Sequence, residues 1–326
     1  MKKPEIIYNG CYDNQTDEQK SKNYKQSDVV TAVAPPVFPT KEPKNFLRYP
    51  IRSQGVSGRC VVFTYAKELS IWFYQKYGVW VDFSTCFPYQ LRSNPDIPGC
   101  NSVDIYQVFP KIGNIFEQFM PGDGLNNQDA MAVPMPPYAK DLAKMIEIKR
   151  ISVPLDFDTV ASTLQNTGKG VMLWFHYNQY EWKDIPIISE QPMTSGHSII
   201  ALEPVTYNGQ EYLVCDESWG IGHSMNGQRL ISREYFNHRC YLASYLMAFR
   251  FSVGEQSDKP HFDGSIISAQ QCFKWLGYFP TNIAEVENWG PVSRSSCKKF
   301  QKAYAIFPQE GNFGDLTKGK LYELFP

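Results

Sequence analysis

Asn208-Gly209 separates two runs of strand-forming residues, Ser198-Ile199-Ile200-Ala201-Leu202 and Tyr212-Leu213-Val214-Cys215. An Asn-Gly pair accepts the left-handed backbone of a two-residue hairpin turn, so the two runs are expected to lie antiparallel and adjacent. Val171-Met172-Leu173-Trp174-Phe175 and residues 245–253 are further strand candidates, and Ile151-Ser152-Val153 opens this strand-rich half. The first half has a different period. Val62, Ala66, Leu69 and Phe73 share one helical face at spacings of three and four, and Gly78 marks the stop. More helix is expected over 103–112 and 141–148. A helical half followed by a β half predicts the α+β class.

The 326 residues suggest roughly two domains at about 150 residues each. With 43% hydrophobic and 20% charged residues the chain is not largely disordered. Lys and Arg total 32 against 33 Asp and Glu, a net charge of -1, which argues against a charge-driven nucleic-acid binder. No apolar run approaches the ~18–20 residues that span a bilayer. The start of the chain has no apolar core of a secretory signal. Tyr8-Asn9-Gly10-Cys11 is only faintly like a lipoprotein cleavage site. Synthesis and folding in the cytoplasm are therefore expected.

The eight cysteines (11, 60, 86, 100, 215, 240, 272, 297) are scattered, with no CxxC pair. This is not a small disulfide scaffold. Most read as ordinary buried thiols, and Cys272 with Cys297 is the pair that an oxidising environment could bridge. No Cys/His cluster has zinc-ligand spacing, so neither a metal nor a cofactor is expected. His176, His223, His238 and His261 likewise read as structural.

Residues 1–45 read as an extended N-terminal arm. Asp13 to Asp28 is nearly all polar and cannot bury enough surface to fold alone. Ala34-Pro35-Pro36-Val37-Phe38-Pro39 favours extended backbone. A tether or assembly contact is expected of the arm, with an inhibitory pro-segment as the other reading. The body then covers 46–253, a linker 254–261, and a small domain 262–326 with helices at 266–276, 294–304 and 317–324.

The chemistry concentrates in Ser53-Gln54-Gly55-Val56-Ser57-Gly58-Arg59-Cys60-Val61-Val62-Phe63. A cysteine in the first turn of a helix sits at the positive end of the helix dipole, which favours the nucleophilic thiolate. Gln54, six residues earlier, can place its amide beside the Cys60 N–H, giving two donors for a developing oxyanion. In Thr194-Ser195-Gly196-His197-Ser198-Ile199 a histidine opens an apolar strand. Asp216-Glu217-Ser218-Trp219-Gly220 ends the strand after the hairpin, where antiparallel pairing brings an acceptor beside His197. Strand alternation turns Asp216 the other way, so Glu217 ranks above it.

These three segments, in this order, resemble the papain-like cysteine peptidase family over roughly 45–253. The family's Gln-Gly-x-x-Gly-x-Cys-x-x-Phe pattern is met at Gln54, Gly55, Gly58, Cys60 and Phe63. Gly196-His197 matches its Gly-His pair, and Ser218-Trp219-Gly220 its Asn-Ser-Trp-Gly segment. The resemblance implies a helical lobe, a β-barrel-like lobe and a cleft between them. It implies Cys60 as nucleophile, His197 as general acid/base, Gln54 as oxyanion donor and Trp219 as the shield of the histidine contact. Gly58, Ser102 and Gly196 would contact a peptide or protein substrate.

Three positions depart from the family. Its asparagine is Glu217 here, which should favour imidazolium and raise the His197 pKa. A cysteine the family often bridges to the position of Cys100 is Ser57, which leaves Cys100 unpaired. The glycine wall after Cys100-Asn101 is Ser102-Val103, so papain-like substrate preferences do not transfer.

Residues 262–326 resemble a three-helix peptidoglycan-binding domain. Ala269-Gln270, Leu276-Gly277-Tyr278-Phe279, Trp289-Gly290-Pro291, Lys299-Phe300-Gln301 and residues 311–317 carry that likeness. The sequence thus supports a thiol-dependent peptide hydrolase, expected to be an endopeptidase, targeted to the cell wall. The alternative is a catalytically impaired scaffold serving as a structural or virion-associated wall binder. Release by lysis or carriage in a phage particle would reconcile wall binding with cytoplasmic synthesis.

Overall fold

The protein is described here by a computed structural model covering residues 10–28, 34–251, 259–280, 283–304 and 306–326. Residues 1–9 and 29–33 of the arm, 252–253 of the last strand candidate and 254–258 of the expected linker lie outside the described residues. The chain forms two compact units, Met1–Trp72 with Asp82–Arg250, and Phe73–Val81 with Phe251–Pro326.

In the first unit β1 (Cys11–Tyr12) and α1 (Asp17–Ser21) precede the long α2 (Cys60–Tyr77), whose last turns belong to the second unit. Then come α3 (Cys86–Gln90), β2 (Cys100–Asn101), α4 (Phe109–Ile112), α5 (Asn127–Ala132) and α6 (Ala139–Ala143). The β half holds β3 (Ile146–Ser152), α7 (Phe157–Thr167), β4 (Val171–Tyr177), β5 (Ser195–Tyr207), β6 (Gln210–Asp216), β7 (Gln228–Ser232), α8 (Arg233–Arg239) and β8 (Cys240–Phe251). Six strands form one sheet in the order β3-β8-β4-β5-β6-β7.

The hairpin falls where Asn208-Gly209 places it. Both residues have positive φ, 48° and 76°, and β5 pairs antiparallel with β6 from Tyr207↔Gln210. Gly78, at φ 70°, closes α2 by donating its N–H to the Tyr74 carbonyl at 2.7 Å.

Two expected helices differ. The helix over 141–148 is only Ala139–Ala143, because Ile146, Glu147, Ile148 and Lys149 alternate inward and outward and open β3. Within 103–112 the turn at Asp104–Val108 is π-helical before α4. Pro110 has no N–H to give to the carbonyl four residues back, which breaks the regular ladder.

Three residues of α2 fasten it to the sheet. Lys67 Nζ lies 2.7 Å from the buried Asp216 carboxylate. Glu68 and Arg150 form a fully buried ion pair between α2 and β3. Trp72 Nε1 donates to the Leu246 carbonyl at 3.1 Å. Buried charges are costly unless paired, so these contacts fix the helix in one register on the sheet. Apolar side chains of β4 and β5 (Leu173, Phe175, Ile199, Ala201) pack with Phe157, Val160 and Leu164 of α7 into one core.

The arm packs on this unit. The Phe38 ring stacks on Phe157 with centroids 5.8 Å apart, and Thr206 donates its N–H to the Pro39 carbonyl. Its first described residues form β1, which pairs in parallel with β2 in the register Cys11↔Cys100.

The second unit contains α9 (Ile266–Trp275), α10 (Pro291–Ala303) and α11 (Asp315–Leu324). Trp275 packs against Phe73 at 5.0 Å, Tyr77 at 4.9 Å and Phe325 at 5.4 Å. Gln301 ties the Gly-rich turn to α11, accepting from Gly311 N–H and donating to Thr317 Oγ1. No helix of the described residues is long and apolar enough to cross a membrane.

Candidate active site

Cys60 is the first residue of α2, so its N–H has no acceptor within the helix. Its thiol is 1% exposed and lies against the His197 ring, the Cys11 thiol and the Ser198 N–H. Burial pushes this thiol up. Hydrogen bonds from Cys11 and His197, the His197 charge and the Ser198 N–H outweigh it and bring the pKa to about 5.

His197 sits near the start of β5, opposite Phe175 of β4. Its Nε2 lies 2.8 Å from Glu217 Oε2. Burial lowers the imidazole pKa, but the Glu217 carboxylate and the Cys60 sulfur raise it to about 9. The histidine shift expected from a glutamate at position 217 is thus present. Asp216 faces elsewhere, toward Lys67 and Gln228.

Glu217 has further partners that the sequence did not suggest. Its Oε1 accepts from Trp182 Nε1 at 2.6 Å and from Arg229 Nε at 2.5 Å. The Arg229 guanidinium also donates to the Trp182 and Lys183 carbonyls and lies 5.1 Å from the Trp182 ring and 5.4 Å from the Trp219 ring. Burial alone would raise the Glu217 pKa, but His197 and Arg229 hold it well below the usual carboxylate range. Glu217 and Arg229 together form a buried ion pair with no net charge. An arginine inside the apolar run Arg229-Leu230-Ile231 is the signal that could have exposed it, since a strand facing a core rarely carries an unpaired charge.

Two indole rings enclose the imidazole. Trp219 lies 4.7 Å from it at 32°, and Trp182 meets it edge-on at 5.3 Å and 87°. Gln54 is buried, and its side chain is oriented at both ends: Oε1 accepts from Ser218 Oγ at 2.5 Å, and Nε2 donates to the Ser57 carbonyl. Gly58 donates its N–H to Asn127 Oδ1 at 3.1 Å.

The remaining expected substrate positions face the arm. Ser102 Oγ donates to Asp13 Oδ1 at 2.5 Å and accepts the Asn14 N–H at 3.2 Å. Cys100 donates its N–H to the Gly10 carbonyl at 2.9 Å. A Cβ on Gly10 would lie 1.8 Å from the Gly196 carbonyl oxygen and 3.3 Å from Cys60 Sγ. The clash with the Gly196 backbone restricts this position to glycine. The described residues hold no group of three or more His, Cys, Asp or Glu suited to a metal, and all eight cysteines are unpaired.

No protein-family model and no curated protein matches the sequence. Solved structures do match by fold. Xylellain, a cysteine protease from Xylella fastidiosa, superposes over 76% of this chain and 98% of its own, with TM-score 0.61 and 15% identity. Digestive procathepsin L 3 of Tenebrio molitor larval midgut matches over 74% of this chain and 77% of its own, with TM-score 0.53 and 15% identity. The cysteine protease and lectin-like domains of Cwp84, a surface layer associated protein of Clostridium difficile, match over 68% of this chain, with TM-score 0.52 and 15% identity. Only 54% of that structure is covered.

Proposed function

Because the chain has the papain-like fold, we propose that it is a thiol-dependent peptide hydrolase held latent by its own N-terminal arm. The observation that carries this reading is the buried sequence of contacts from Cys60 to His197 to Glu217, the last at 2.8 Å. The Cys60 thiolate attacks the scissile carbonyl, and the His197 imidazolium gives its proton to the leaving amine. Water, deprotonated by His197, then hydrolyses the thioester. The Cys60 N–H and Gln54 Nε2 are the donors for the oxyanion. Trp182 and Trp219 keep water from the contact between His197 and Glu217. The arm lies on Ser102, Gly196 and the Cys60 sulfur, the positions assigned here to substrate.

Casein hydrolysis by the full chain carrying Gly10→Val, which cannot seat the arm, tests this. Activity is expected to be lost in the same chain with Cys60→Ser. The reactive ion pair exists above the thiol pKa and below the imidazolium pKa, so hydrolysis rises on the acid side and falls as pH passes about 9. A scaffold reading is favoured by the filled cleft and by Ser102-Val103. It predicts no hydrolysis at any pH once the arm is displaced.

We also infer that residues 262–326 carry the protein to peptidoglycan. The glycine and aromatic pattern of that segment supports this. Full-length protein is expected to pellet with purified peptidoglycan, and retention in the supernatant would contradict wall binding.

A further inference from the structure

The arm brings a second thiol to the site. Cys11 follows the glycine on which a Cβ would stand 3.3 Å from Cys60 Sγ, and the two thiols are close enough to shift each other's titration. Tyr241 holds Cys11 in place: its hydroxyl donates to the Cys11 carbonyl at 2.9 Å and lies 3.0 Å from Cys11 Sγ. On its open side Cys11 borders a cavity of about 610 Å³ also lined by Tyr12, Asn14, Ser195 and Gly196. Cys60 does not line this cavity, so a small oxidant entering there reaches it past Cys11.

We propose that Cys11 and Cys60 form a reversible disulfide that locks the arm in the cleft, with a peroxide as oxidant. This rests on the reading of Cys60 as a reactive thiolate. The Cys60 sulfur attacks one peroxide oxygen and the O–O bond breaks. The departing hydroxide takes the His197 proton and leaves as water, and Cys60 is a sulfenic acid. The Cys11 sulfur then attacks the Cys60 sulfur and the S–O bond breaks. The Cys11 proton leaves with that oxygen as a second water. Peroxide gains two electrons and the two thiols lose them. A dithiol reductant reverses the bond and frees the arm.

Cys11 has a competing partner in Cys100, its register neighbour on β2. Burial pushes the Cys100 thiol well up, whereas Cys60 is held low, so the sulfur that peroxide oxidises is Cys60. The lock therefore closes on the nucleophile and also protects it from over-oxidation.

The test treats reduced full-length protein with hydrogen peroxide, blocks free thiols by alkylation, and maps the digest by mass spectrometry. A linked Cys11–Cys60 peptide that disappears with dithiothreitol is expected. In Cys11→Ser, Cys60 is expected to advance to sulfinic and sulfonic acids, and the fraction recovered by dithiothreitol falls at least tenfold. A dimedone probe separates the two ways of failing. Sulfenic acid trapped at Cys60 without any link to Cys11, or a Cys11–Cys100 link instead, overturns the lock alone. No oxidation and no trapping at Cys60 overturns the reading of Cys60 as reactive as well.

Discussion

Gly10→Val is expected to raise the rate at which a thiol-reactive epoxide modifies Cys60 by about 10²-fold. The wild-type arm passes over the sulfur with no side chain at position 10, and a Cβ there would stand 1.8 Å from the Gly196 carbonyl oxygen. Neither partner is a flexible side-chain end. Both are backbone, pinned by the Cys100 N–H on one side and by β4 on the other. Overpacking of this kind costs about 3 kcal/mol at the upper end of its usual range. At about 1.4 kcal/mol per factor of ten, the seated population falls about 10²-fold. Global stability should change little, because the later arm contacts, Phe38 on Phe157 and Pro39 with Thr206, remain. The check is the labelling rate by intact mass, beside the unfolding midpoint of the same protein. An unchanged rate would show that the arm is not what covers Cys60.

Glu217→Gln is expected to cost about 3–5 kcal/mol of stability, the usual loss when one member of a buried ion pair is removed. The carboxylate, fully buried, serves His197, Trp182 and Arg229 at once. Glutamine keeps one acceptor oxygen but leaves the Arg229 guanidinium buried against two carbonyls with no counter-charge. The double variant Glu217→Gln with Arg229→Met removes that orphaned cation and is expected to recover most of the loss, measured by urea unfolding. A pH signature separates positioning from packing. The Glu217 charge helps hold the His197 pKa at about 9, so without it the imidazolium deprotonates at lower pH. The alkaline limb of hydrolysis then moves toward neutrality in the single and the double variant alike. Equal destabilisation of both variants with an unmoved limb would reduce Glu217 to a packing residue.

Much of this site was legible because its signals are local. A cysteine at a helix start, a glutamine six residues before it and a histidine opening a strand each carry their chemistry in a few adjacent residues. The choice of Glu217 over Asp216 followed from strand alternation. The Asn208-Gly209 turn set the hairpin that brings positions 197 and 217 together. What escaped depends on pairing between distant segments. Arg229 reaches Glu217 because β7 pairs with β6 in the register Cys215↔Arg229, and local composition does not encode register. Trp182 arrives from the connection between β4 and β5. The arm reads as a solvated tether because its residues are polar. It is seated by backbone pairing with β2 and by Ser102, which polar composition neither predicts nor forbids. Residues 146–148 fall within the helix expected over 141–148, although their burial alternates as in a strand.

The central claim is that folding gives Cys60 a reactivity the other seven cysteines lack, through His197. The most direct measurement is site-resolved epoxide labelling of all eight cysteines in Gly10→Val and in Gly10→Val with His197→Ala. Cys60 is expected to be modified far ahead of the others in the first protein and to lose that lead in the second. Equally slow modification of all eight in the first protein would contradict the claim.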